Sequence, residues 1–184
     1  MLLYDDTAAR VLHAAADEAR RLGATRYETT HVLVGLLRTA DPVTLTVTVD
    51  HPQLTVDAVR AALGQPRWEG GGAPPAGGST PEPATEFRRA SRDFTAAWRP
   101  LVRARRLRPG LKLGTGELWL SVLEPAAASA RIVAASGAEP DDVRHLVLAT
   151  MVPDGAPVPD WPTEVPAGAV RRLLLRVLGR GGRP

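Results

Sequence analysis

Apolar side chains recur at three- and four-residue spacing through residues 7 to 22, "TAARVLHAAADEARRL". Ala8, Val11, Leu12, Ala15, Ala19 and Leu22 form one stripe, with Asp17, Glu18, Arg20 and Arg21 mostly outside it. This spacing predicts an amphipathic helix. Gly23 stands where a left-handed residue would end it. A second run follows, in which Thr29 or Thr30 caps a helix burying Val32, Leu33, Leu36 and Leu37. Gly35 costs that helix about 1 kcal/mol relative to alanine, so its use is the close approach of a neighbouring backbone.

The segment "ADPVTLTVTVDHP" reads two ways. Its alternating Thr and Val suit a strand, whereas Pro42 suits the first turn of a helix. Thr55 then caps "TVDAVRAALG", with Val56, Val59 and Leu63 inward and Gly64 as the stop. The first module, residues 1–65, is thus helix, helix, ambiguous element, helix.

Residues 66–85 are rich in Gly and Pro and read as a linker. A second module, residues 86–151, opens with Phe87, Ala90, Phe94, Ala97, Trp98 and Leu101 on one helical face, which Pro100 should kink or split. "GTGELWLSVL", "PAAASARIVAASG" and "PDDVRHLVLATM" continue as three more helices. This order repeats that of the first module and favours a helix at its ambiguous element. Residues 152–184 begin Pro-rich and end in a short basic helix, with Val170, Leu173, Leu174 and Leu178 as its apolar stripe and Arg171, Arg172 and Arg176 around it. The expected fold is therefore all-α, with two tandem pseudo-repeats of about four helices and a short C-terminal helix.

Composition narrows the function classes. The chain has 184 residues, 44% of them hydrophobic but only 4% aromatic, so its core is built from Leu, Val and Ala. It has no cysteine, which excludes disulfides and thiolate chemistry and fits a reducing compartment. Asp5, Asp6 and Arg10 interrupt any signal-peptide pattern, and no run approaches the roughly 18 apolar residues of a membrane span. A soluble cytoplasmic protein, monomeric, is the expectation.

Catalytic chemistry finds little support. His13, His31, His51 and His145 are the only histidines, and no two share a metal-ligating spacing. No Ser/His/Asp set is indicated. The phosphate-cradling loop needs a lysine followed by Ser or Thr, whereas Lys112, the only lysine, is followed by Leu113. No metal or cofactor is expected, and a non-enzymatic protein is. Arg99, Arg103, Arg105, Arg106, Arg108 and Lys112 form a basic run free of acidic residues. It reads as a patch for phosphate, an acidic partner or nucleic acid, or as a solvated helix face. Aromatic interleaving, which nucleic-acid readers use, is confined to Trp98.

The repeat resembles a known family. "ADEARRLG", "THVLVGLL" and "ASARIVAASGAEPDDVR", in two units across residues 4–151, are similar to the Clp N-terminal (double Clp-N motif) domain. That domain docks substrates and adaptors ahead of the ATPase rings in ClpA- and ClpC-type unfoldases. Its second helices open with Gly-Thr-Glu-His. Here Thr29, Thr30 and His31 stand for that segment in the first repeat, and Gly114, Thr115, Gly116 and Glu117 in the second.

The resemblance implies a binding protein that captures peptide-like ligands or Clp substrates, as a stand-alone N-domain without ATPase modules. It also suggests a decoy for the cyclic-peptide antibiotics that target Clp unfoldases, with Met1, Tyr4, Ala16 and Phe87 at the matching positions. Some family members bind phosphoarginine through the segment's glutamates. Thr30 and Gly116 occupy those positions, and Glu28 and Glu117 are the nearest carboxylates. The alternatives are an adaptor or regulator docking on Clp protease machinery through the arginine cluster, and nucleic-acid binding through the same residues.

Overall fold

The computed structural model of the chain describes residues 2–24, 26–63, 97–102, 112–152 and 158. The first module supplies β1 (Leu3–Tyr4), α1 (Asp6–Arg21), α2 (Thr29–Leu37), α3 (Pro42–Asp50) and α4 (Val56–Ala62). The second supplies the helical residues 97–102, β2 (Lys112–Leu113), α5 (Thr115–Val122), α6 (Ala128–Ala135) and α7 (Pro140–Thr150). The fold is all-α apart from the short parallel pair of β1 and β2, in which Leu3 faces Lys112 and Tyr4 faces Leu113. The linker assigned to 66–85 and the helix assigned to the C-terminal tail lie outside the described residues.

Helix α1 begins where the Asp5 carboxylate accepts the Ala8 N–H at 2.7 Å, and it ends before Gly23, whose φ of 68° is left-handed. Ala8, Val11, Leu12, Ala15 and Ala19 are buried as the stripe requires. Glu18 corrects the sequence reading, because it is buried too, with 1% of its surface exposed. Arg60 on α4 forks onto it at 2.9 and 2.8 Å, and Arg21 bonds both of its oxygens from one turn away. Two guanidinium groups replace the water this carboxylate loses, and they tie α4 to α1.

Helix α2 is buried nearly all round, from Thr29 to Leu36. Its N-cap is Glu28, so neither threonine is the cap, and Thr29 instead accepts the Ser129 N–H of α6 at 3.3 Å. A Cβ on Gly35 would lie 2.4 Å from the carbonyl oxygen of Val11, so α1 and α2 cross backbone to backbone there. In the second repeat Ser121 occupies the same turn of α5. Its hydroxyl donates at 2.9 Å to the carbonyl of Ala97, in the helix that stands where α1 stands. The two repeats solve one crossing in two ways.

The ambiguous segment is a helix. Asp41 caps α3 through the N–H groups of Val43 and Thr44, and Pro42 takes the first helical position. Thr46 and Thr48 return their hydroxyls to the carbonyls of Pro42 and Thr44, which satisfies them within the helix. Buried Asp41 also accepts from the hydroxyls of Thr44 and Thr115, at 2.5 and 2.8 Å, while Trp119 donates to Thr44 at 3.0 Å. This network fixes α3 against α5, a tertiary constraint that outweighs the β propensity of a Thr/Val run. Trp98, Trp119, Leu33, Leu36, Leu118 and Leu120 fill the shared core between repeats.

Candidate functional site

The parallel pairing of β1 with β2 brings the start of the chain beside the start of α5. Tyr4 and Lys112 are diagonal neighbours across this pair, with Lys112 exposed and Tyr4 half-buried. The Tyr4 hydroxyl accepts the Trp98 indole N–H at 3.0 Å. Burial pushes its pKa up to about 12, against the opposing effect of that bond, so the phenol stays neutral. Asp5 and Glu117 flank Gly114. A Cβ there would lie 2.9 Å from Asp5 Oδ2 and 3.5 Å from Glu117 Oε2. Glu117 also accepts the Gly114 N–H at 3.0 Å, closing the first turn of α5. Leu3 and Lys112 lie on the exposed face of the strand pair and Tyr4 and Leu113 on its inner face, so Asp5 and Glu117 meet at Gly114 while Lys112 is directed away from the tyrosine ring.

At the start of α2 the same device uses a different residue. His31 stands at the helix position that Glu117 holds in α5, and its Nδ1 accepts the Glu28 N–H at 2.9 Å. An accepting Nδ1 requires the neutral ring with its proton on Nε2. Burial lowers the His31 pKa in the same sense, more than the Glu18 charge raises it. Glu28 is half-buried at this end, whereas Thr30 is buried. Glu28 and Thr30 thus stand at the start of α2, Glu117 at the start of α5, and Tyr4 and Lys112 on the strand pair.

Neither position matching a family glutamate presents a side chain to solvent. Thr30 is 6% exposed. At Gly116 a Cβ would lie 2.7 Å from the Met151 sulfur and 2.8 Å from its Cγ, so the thioether already fills the space a longer residue would enter. Ala16 is also buried, on the core side of α1. Arg99 and Lys112 are exposed. Met1, Phe87, Arg103, Arg105, Arg106 and Arg108 lie outside the described residues.

Sequence reasoning passed over two polar clusters, Glu18 with Arg21 and Arg60, and Asp41 with Thr44, Thr115 and Trp119. The available signals were an Asp directly before Pro42 and a lone indole in the aliphatic run of α5. Among the described residues no three His, Asp or Glu side chains converge as metal ligands would, and no single helix is long and apolar enough to cross a membrane.

No family profile and no curated protein matches the chain. Solved structures do. One is the crystal structure of the N-terminal domain of the caseinolytic protease associated chaperone ClpD from Arabidopsis thaliana. It is 16% identical, with a TM-score of 0.57, over 80% of this chain and 94% of that one. The chain has the fold of a Clp N-terminal domain.

Proposed function

We propose that this chain is a non-catalytic binding domain that captures peptide-like ligands where β1 and β2 meet the start of α5, at exposed Leu3 and Lys112 beside the half-buried carboxylates of Asp5 and Glu117. The observation that carries the reading is the β1–β2 pairing, which sets Leu3 beside Lys112 on one exposed face, more than a hundred positions apart, on a Clp N-terminal-domain fold. Exposed Leu3 offers an apolar contact, and Lys112 on the same face, with Asp5 and Glu117 at the next turn, supplies charges of both signs for a peptide's backbone and ends. On this reading the ligands are cyclic-peptide antibiotics or Clp substrates. Inherited phosphoarginine capture finds no support at Gly116, where Met151 fills the space beside the backbone.

The test is titration of the purified chain with a fluorescently labelled cyclic-peptide antibiotic of the class that targets Clp unfoldases, read by anisotropy. Saturable binding that falls about tenfold in Lys112→Glu supports the reading, as 1.4 kcal/mol of lost contact would produce. Absence of binding at millimolar protein refutes it. Recovery of a Clp ATPase from lysate instead, lost in Arg99→Glu/Lys112→Glu, would favour the adaptor role over peptide capture.

A further inference from the structure

Helix α3 carries an aliphatic stripe that the rest of the described fold leaves bare. Leu45 is 53% and Val49 75% exposed, and Pro42 is exposed on the same face one turn earlier. We propose that the C-terminal segment 169–178 occupies this stripe, laying Val170, Leu173, Leu174 and Leu178 over Pro42, Leu45 and Val49.

Three observations choose this occupant. First, the chain leaves the described helices at the right place. Asp41, the cap of α3, is bonded to Thr115, and the next residue, Gly116, lies against Met151 just after α7. Val158 then packs against the core. From Val158 to Ala169 an extended Pro-containing chain reaches roughly 30 Å, whereas the nine residues of α3 span only about 14 Å.

Second, the charges match. Helix α3 carries no basic residue, and it ends in exposed Asp50. The Gln53 amide donates to the Gly137 carbonyl at 3.0 Å, which ties that end of α3 to the turn before α7. Exposed Glu139, Asp141 and Asp142 follow that turn, with Asp141 also paired to Arg144 on its own helix. The segment brings Arg171, Arg172 and Arg176 on the flanks of its apolar stripe. Third, the spacing agrees. Pro42, Leu45 and Val49 repeat at three and four residues, as do Val170, Leu173, Leu174 and Leu178, so two short helices can interdigitate along one line.

The natural absence of cysteine makes the test direct. In the full chain, Val49→Cys is paired with Leu174→Cys, and a control chain pairs Ala134→Cys, exposed on α6, with Leu174→Cys. Under mild oxidation at low micromolar protein, the first pair should close an intramolecular disulfide about tenfold faster than the control, because docking raises its effective concentration. A disulfide-linked dimer would show that a second copy occupies the stripe. Equal rates in the two chains would show that the segment does not dock; either result overturns the proposal. Hydrogen exchange provides a check without cysteines. Leu173→Asp/Leu174→Asp should speed exchange of the α3 amides several-fold, and unchanged rates would overturn the contact.

Discussion

Thr115 donates its hydroxyl hydrogen to Asp41 at 2.8 Å across 74 positions of sequence. Thr29, at the same place in the other repeat, accepts the Ser129 N–H of α6. Each second helix thus grips the opening of the other repeat's third helix. Neither unit completes its own polar bonding, so the two repeats should unfold together. Thr115→Val keeps the shape and removes the donor. It should cost about 1–2 kcal/mol, seen as a lower urea midpoint at unchanged slope.

The Glu18 cluster gives a prediction with a sign. Burial alone would raise the pKa of this carboxyl, but hydrogen bonds from Arg60 and then Arg21 hold it down at about 2. Its contribution is present above the ordinary carboxylate value of 4.5 and is lost as pH falls from there toward 2. Arg60→Ala leaves a buried carboxylate with one partner fewer. It should cost roughly 3 kcal/mol at neutral pH and flatten the acid limb of the stability curve, measured by denaturation from pH 7 down to pH 3.

His31 titrates in the opposite part of the range. Because folding favours its neutral form, the stability it contributes is full above its ordinary pKa of 6.5 and is lost as pH falls through 6.5 toward the lower folded value. Glutamine can reach back to the Glu28 N–H without a titrating ring. The melting temperature of the parent chain should therefore drop between pH 7.5 and pH 5.5, and that of His31→Gln should stay level over the same interval.

Gly35→Ala inverts a common expectation. In an open helix the change gains about 1 kcal/mol. Here the added methyl meets the Val11 carbonyl oxygen at 2.4 Å, so α1 must move away and the net effect is a loss of about 1–3 kcal/mol. Thermal unfolding followed by circular dichroism checks it.

How far the sequence alone reaches is clearest at α1, α2 and α3. The stripe of α1, the stop at Gly23 and the cap at Thr55 were legible because each depends on residues within a turn or two. Glu18 was left outside the apolar stripe, and its burial could not be read because it depends on Arg60, on another helix. The N-cap of α2 was misread by one residue, since Thr29 serves α6 and leaves the cap to Glu28. Helix α3 stayed ambiguous because Thr44 and Asp41 are fixed by Thr115 and Trp119. The same limit applies to the strand pair. Tyr4 was picked out through a family likeness, but its pairing with Leu113, and that of Leu3 with Lys112, joins residues too far apart in sequence to be read from it.

That strand pair also bears on how the protein is made. Leu3 and Tyr4 leave the ribosome early, yet their partners, Lys112 and Leu113, follow more than a hundred residues later. Asp41 and Thr29 wait almost as long for Thr115 and Ser129. A nascent chain halted before residue 112 holds an unpaired strand edge, an uncovered face of α2 and a cap with one bond unmade. Contacts this distant slow folding, so the first repeat is completed only once β2, α5 and the start of α6 have been made.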